Sequence, residues 1–372
     1  MKKTFRRTLA LALALVLIFA LGALSACSGK KENELTTRAE FSKALAGTTL
    51  NVFNWGEYIS DGSEGSLDVN REFEKLTGIK VNYTNYESNE AMYAKLKSGA
   101  VSYDIIIPSD YMIERLASEN MLAKIDTSKL SNYDLIDEKY KKLYFDPSDE
   151  YSVPYNVGMV GLVYNTTMVD EAPDSWNVLW DEKYTDNVLM FNNSRDAFAI
   201  AQFLLGIDIN TTDRAEWDRA ADKLKAQNAV LQDRVMDQVF NKMEGSNAAI
   251  APYYAGDCLT MMESNPDLAF VYPKEGVNIF VDSVCIPENH QNYEAALMYI
   301  NFLLEPEVAL ANAEYIRYAS PNTAVLANED YSLKDSEVLY PDAAHTPKCE
   351  YFHDLPNDVR SYYESLWEEV VR

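Results

Sequence analysis

The sequence predicts an α/β protein folded as two lobes, and three observations carry that prediction. Strand-like and helix-like segments alternate from about residue 49, the rhythm of a parallel sheet covered by helices. The alternation returns after residue 150, and 372 residues at roughly 150 per domain suit two such units. Hydrophobic residues make up 47% of the chain, enough for a large core, and no repeat of about 20–50 residues points to a solenoid instead.

In chain order, Thr49–Phe53 reads as a first strand, bounded by Gly47 and by Asn54-Trp55-Gly56. A helix over Val69–Leu76 puts Phe73 and Leu76 on one face, with Gly78 as its C-terminal cap. Ile79–Tyr83 alternates like a half-buried strand. Ser88 caps a helix to about Lys97 that Gly99 ends, and Tyr103–Ile107 is a short apolar strand stopped by Pro108. A helix starts after Ser109 or Asp110. Further strands are expected at Tyr151–Tyr155, Met159–Tyr164, Val188–Phe191, Ala248–Pro252, Leu268–Tyr272 and Ile279–Ile286. Helices are expected at Asp196–Leu205, Tyr293–Leu304 and Asp358–Val371.

Upstream of the first strand, Lys2, Lys3, Arg6 and Arg7 precede an apolar run from Leu9 to Leu24 that ends in Leu24-Ser25-Ala26-Cys27. A positive start, a short apolar stretch and small residues before a cysteine resemble the bacterial lipoprotein signal. It implies cleavage before Cys27 and a lipid on its thiol. Residues 27–47 are then expected to form a flexible tether, since Ser28–Glu34 is small and charged. No later segment has the 18 or so consecutive apolar residues of a membrane span. An extracytoplasmic body held to the cell membrane by its lipid is the expectation.

Net charge is −25, with 33 Lys+Arg against 58 Asp+Glu. That balance argues against nucleic-acid binding, which needs clustered basic residues to neutralise phosphate. With 25 Tyr, 14 Phe and 5 Trp the chain is no solvated acidic tail either. Catalytic signals are missing. The three histidines, His290, His345 and His353, lie in polar contexts late in the chain, and no Gly-x-Ser-x-Gly elbow or phosphate-cradling glycine loop occurs. Cys258, Cys285 and Cys349 show no metal-like spacing, and the sequence leaves open whether two of them pair. Neither a metal nor a cofactor is expected, and no enzyme.

Polar-aromatic loops at expected strand ends are more informative, because ligands gather there in open α/β sheets. Asn54–Tyr58, Pro108–Tyr111 and Tyr253–Asp257 are such loops, and Ile279–Ser283 lies in a strand returning to the first lobe. Each joins an aromatic ring to a carboxylate or hydroxyl. That pairing suits an alkyl ammonium: carboxylates accept its charged hydrogen bonds, and ring faces cover its methylenes. Taken singly, Trp55 and Tyr58 read equally well as core aromatics, Tyr254 as a gap filler, and Asp110 or Asp282 as caps. The four together favour a site.

The stretches Phe53–Tyr58, Tyr86–Lys97, Tyr103–Ser109, Ser152–Tyr155, Tyr272–Gly276, Asp282-Ser283, Ile300–Leu304 and Leu339–Pro341 resemble the spermidine/putrescine-binding proteins of bacterial ABC importers. They run in family order from about residue 49 to the C-terminus. The resemblance implies a two-lobed periplasmic-binding-protein fold of type II with a ligand cleft between the lobes. Residues 48–157 and 281–325 would form lobe one, and residues 158–280 and 326–372 lobe two. It implies a polyamine ligand, putrescine and/or spermidine, an ABC permease as partner, and a monomer. By position, Trp55, Glu57, Tyr58, Ser109, Tyr111 and Asp282 line the cleft from lobe one, with Asp282 the main ammonium partner. Asn193, Asp196, Tyr254, Asp257 and Phe280 face them. Asn193 stands where the spermidine-type pattern has Asp, Pro356 where it has Gln, and Asp196 is shorter than the usual Glu. These departures, with Asp257 added, point toward a diamine. A receptor of the same fold for another small cation is the alternative.

Overall fold

The computed structural model describes residues 35–372, so the expected signal peptide and the expected lipidation site, Cys27, lie outside the described residues. β1 (Thr49–Trp55), α1 (Val69–Thr77), β2 (Lys80–Tyr86), α2 (Asn89–Ser98), β3 (Ile105–Ile106) and α3 (Asp110–Ser118) follow in the expected alternation. The punctuation works as its chemistry requires. The Asp68 and Ser88 side chains accept the N–H groups of Arg71 and Ala91 at two helix starts. Gly78 and Gly99 end those helices at φ 71° and 63°, a left-handed conformation that a side chain would strain. β1 pairs in parallel with β2 and β3.

β4 (Ser152–Asn165) is one strand of 14 residues, buried throughout, where two strands were expected. Asn156-Val157-Gly158 looks like a break in sequence, but it lies in register with Asp282, Val281 and Phe280 of β9 (Val277–Cys285). A register shift between Pro154 and Asn156 absorbs the irregularity.

Between β4 and β9 lie most of the elements expected in the second lobe. β5 (Val188–Phe191), α4 (Ser194–Leu205), α5 (Arg214–Gln227), β6 (Leu231–Val235), α6 (Gln238–Glu244), β7 (Ile250–Tyr254), α7 (Ala255–Ser264) and β8 (Leu268–Val271) follow in order. After β9 come α8 (Tyr293–Leu303), α9 (Pro306–Ile316), α10 (Thr323–Leu326), β10 (Cys349–Glu350) and α11 (Asn357–Val370). α7 begins directly after Tyr254, so the expected Tyr253–Asp257 loop is a strand end running into a helix.

The sheet order is β2-β1-β3-β9-β4-β7-β5-β6. β4 and β9 therefore serve both lobes. The first half of β4 pairs with Ile279–Cys285 of β9, and Cys285 also meets Ile106 of β3. The second half of β4 pairs with β7 and β8. Two separate cores form around the ends of this pair. One holds Phe53, Ile106, Met112 and Leu116, the other Trp176, Phe198, Trp217 and Tyr363.

The expected tether reaches residue 47, yet its last part is docked. Fully buried Glu305 accepts the N–H groups of Arg38 and Ala39 at 2.6 and 2.8 Å and the Asn132 amide at 2.7 Å. Phe41 packs edge-on against Phe302. Cys258, Cys285 and Cys349 are free thiols. Among the described residues no helix is long and apolar enough to cross a membrane.

Candidate ligand-binding cleft

Strand geometry decides which side chains share a face where β4 and β9 cross. Residues directly opposed in an antiparallel pair project to the same face. Asn156 opposes Asp282 and Gly158 opposes Phe280, so these four share one face at the crossing point between the lobes. Val157, Met159, Ile279 and Val281 take the reverse face, where Val157, Met159 and Ile279 line a separate groove of about 400 Å³.

Gly158 is required by close approach: a Cβ there would stand 2.1 Å from the Phe280 ring. Phe280 in turn meets Tyr254 edge-on at 5.7 Å and Tyr318 at 6.2 Å. Tyr318 also meets Tyr58, centroid to centroid at 5.6 Å. The Trp55 indole N–H donates to the Ile107 carbonyl at 2.9 Å, leaving only its ring face for other contacts.

Asp282 is 4% exposed and accepts the Tyr58 hydroxyl at 2.6 Å. Ser109 bridges to Asp282 through the backbone, and Ser283 N–H donates to the Pro108 carbonyl at 3.1 Å. Burial lifts the Asp282 carboxyl to about 6, against the pull of the Tyr58 and Ser109 hydroxyls. Its second oxygen, Oδ1, is buried without a partner among the described residues. Such an oxygen carries a desolvation cost of about 1–3 kcal/mol or more. Nearby Asp110 is accounted for within the fold. It accepts the Tyr111 and Val281 N–H groups, which fasten α3 to β9.

Asp196 lies in the first turn of α4 and accepts the Tyr254 hydroxyl and the Asn193 amide, both at 2.7 Å. Burial raises it to about 6; the Tyr254 hydroxyl and the Arg195 charge oppose the rise, and Glu90 adds to it. Asn193 is the N-cap of α4, with Oδ1 on the Arg195 and Asp196 N–H groups. It therefore orients Asp196. Asp257, in the first turn of α7, accepts the Tyr318 hydroxyl at 3.1 Å. Burial, with smaller contributions from Asp237 and Glu57, raises it to about 7.

Glu57 is exposed and left-handed, at φ 52°. The Tyr111 hydroxyl donates to Glu90 at 3.0 Å, and the Asn89 amide reaches both Ser109 and Tyr111 at 3.1 Å. The structure thus joins Tyr58, Ser109, Asp282, Phe280, Tyr254, Asp196, Asn193 and Asp257 through direct contacts, while Trp55, Glu57 and Tyr111 attach at the margins. Sequence reasoning missed Tyr318, which ties Tyr58 to Asp257, and Glu90, partner of Tyr111. Arg317, left-handed at φ 63° and not a glycine, hid the turn that presents Tyr318.

Among the described residues no basic side chain pairs with Asp196, Asp257 or Asp282, and no group of three or more His, Cys, Asp or Glu is placed to hold a metal ion. Buried carboxylates that form no ion pair, with Arg195 acting on Asp196 only as a nearby charge, are walled by aromatic rings where strands cross, and they define a receptor of the two-lobed type II periplasmic-binding fold.

Comparison with known proteins narrows this class. The family model for bacterial extracellular solute-binding proteins matches residues 101–344, and the chain belongs to that family. It is 36% identical to the spermidine/putrescine-binding periplasmic protein of Salmonella typhimurium, over 87% of this chain and 91% of that one. It is 31% identical to spermidine/putrescine-binding periplasmic protein 1 of Haemophilus influenzae, over 95% and 96%. A putative spermidine/putrescine ABC transporter structure from Listeria monocytogenes matches with a TM-score of 0.82 and 35% identity, covering 87% of this chain and 99% of that one.

Proposed function

We propose that this chain is an extracytoplasmic receptor that captures a polyamine, putrescine and/or spermidine, by lobe closure and delivers it to an ABC permease. The observation that carries the reading is Asp282. A carboxylate 4% exposed, with one oxygen on Tyr58 and the other unpartnered, asks for a cationic donor. An alkyl ammonium supplies it, and Tyr58, Phe280 and Tyr318 provide ring faces worth about 0.5–2 kcal/mol per cation contact. Asp196 and Asp257 stand as further acceptors for a ligand with more than one charged nitrogen, joined at the margin by Trp55, Glu57, Ser109 and Tyr111. The names of the relatives support a polyamine.

Closure rocks lobe one (48–157 and 281–325) against lobe two (158–280 and 326–372) about the β4–β9 crossing. The receptor turns nothing over, works as a monomer, binds no nucleic acid, and is held to the membrane by a lipid on Cys27. A diamine preference is the finer reading: Asn193 is neutral and occupied as a cap, while Asp257 adds an acid.

Calorimetric titration of the purified mature protein with putrescine, spermidine, metal ions and sugars tests the reading. One amine per chain is expected. Saturation by a sugar or metal with no amine heat defeats it, and tighter spermidine binding defeats the diamine preference. Mass spectrometry of the mature N-terminus reads the lipid, which Cys27→Ala should abolish.

A further inference from the structure

Two buried amides behind the site lack acceptors. Nδ2 of Asn156 and Nδ2 of Asn312 have no partner among the described residues, and the two side chains are only 2% and 3% exposed. Both residues line a single small, partly open pocket of about 20 Å³, walled by Tyr155, Leu303 and Ser320 among others. Leaving two amide donors unpaired inside a protein carries a desolvation penalty for each. A cavity of about 10–15 Å³ by this measure holds one water, provided two or more polar groups face it.

Both side chains lie next to the elements that present Asp282 and Tyr58. Asn312, on α9, accepts the Ser60 N–H on Oδ1 at 2.9 Å, two residues beyond Tyr58. Asn156, on β4, opposes Asp282 across the ladder and lies beside the Tyr58 hydroxyl. Tyr155, between them, donates its hydroxyl to the Tyr58 carbonyl at 2.9 Å, and Asn54 reaches that carbonyl at 3.2 Å. The cavity therefore sits where α9, the crossing strand and the loop carrying Tyr58 converge.

We propose that this cavity is a binding site for one ordered water, which accepts from Asn156 Nδ2 and Asn312 Nδ2. A water oxygen has two lone pairs, one for each amide, and the Ser320 hydroxyl on the same wall offers a partner for its hydrogens. The water ties the strand opposite Asp282 to the loop that presents Tyr58. Asn312 is thus a positioning residue that acts on the ligand through the Ser60–Tyr58 backbone. That effect on affinity rests on the amine reading above, whereas the water itself does not.

High-resolution crystallography of the mature protein is expected to show one density peak within hydrogen-bond reach of both amides. A dry cavity with the amides turned onto protein acceptors overturns the site. Asn312→Leu removes the Ser60 acceptor and fills the cavity, so putrescine affinity should fall about tenfold. Asn312→Ser is too short to reach Ser60 directly but makes room for a second water that bridges its hydroxyl to the Ser60 N–H, so affinity should stay within about threefold of wild type. Wild-type affinity in the Leu variant, or a Ser variant as weak as Leu, overturns the positioning role. Should the Leu variant fail to fold, the Ser variant still decides, because its enlarged cavity must hold two peaks. If no form binds any amine, the functional reading falls while the density still reports on the water.

Discussion

Asp282→Asn should separate stability from function in opposite directions. Burial holds the Asp282 carboxyl at about 6 in the folded chain against 3.8 in the unfolded one. The folded state thus binds the proton more tightly, and keeping the group ionised at pH 7.5 costs the ligand-free protein about 3 kcal/mol. Because a raised acid destabilises above its folded pKa, that penalty is full above about pH 6 and mostly gone by about pH 4. Asn keeps an acceptor for Tyr58 but buries an unpaired amide donor, which returns about 1 kcal/mol or more of the gain at every pH. The variant should therefore be about 1–2 kcal/mol more stable than wild type at pH 7.5 and no more stable at pH 4. Chemical denaturation of both ligand-free proteins at the two pH values reads this directly. Polyamine affinity in calorimetry should fall about a hundredfold, as a charge-assisted bond is replaced by a neutral one. A variant equally destabilised at both pH values, or one that still binds within a few-fold, refutes the reasoning.

Polyamine affinity should be highest above pH 7.5 and fall as Asp257, near 7, and Asp196 and Asp282, near 6, take up protons. At pH 5 the last two alone should weaken binding on the order of a hundredfold, and titrations near pH 6 in buffers of different ionisation heat should show proton release; a flat profile counts against these groups. Gly158→Ala places a Cβ within 2.1 Å of the Phe280 ring, so it should cost about 1–3 kcal/mol in thermal unfolding and displace the ring from the cleft. Tyr318→Phe removes the hydroxyl that holds Asp257 down, so the acid limb of the binding profile should move to higher pH and affinity drop about fivefold. Glu305→Ala leaves the Arg38, Ala39 and Asn132 donors without their acceptor, and about 3 kcal/mol should be lost in denaturant melts.

The alternation of β1 to α3 was readable because each boundary carries its own chemical mark: Asp68, Ser88, Gly78 and Gly99 act within a turn or two of where they stand. The helix over 214–227 and the half-exposed strand over 231–235 were not, since both are polar and their apolar residues serve only one face. β4 was misjudged for a different reason. Asn156-Val157-Gly158 is a continuous strand only because β9, more than a hundred residues later, lies against it, and local pattern holds no trace of that partner. For the cleft, Asp282 and Phe280 were singled out by the resemblance to the spermidine/putrescine-binding proteins, on a segment that reads as a strand. Asn193 was expected among the ligand contacts, and its side chain is instead consumed in capping α4 and steering Asp196. Tyr318 and Glu90 enter through tertiary contacts to Asp257 and Tyr111, which no spacing rule announces.

The strand pair at the centre also dictates an order of events when the chain first folds. β4 waits for β9, and β3 meets its neighbour only through Cys285, so the first lobe lacks an interior strand until about residue 285 has been delivered. Pairings this distant in sequence carry a large loop-closure entropy and slow the search. The second lobe has β5, β6, β7 and α4 to α7 in one stretch, yet its core also needs Tyr363 and Leu366 of α11, so it too stays incomplete until the C-terminal helix is delivered. A chain halted before residue 277 should therefore leave both halves open to protease, with protection of either appearing only once α11 is present.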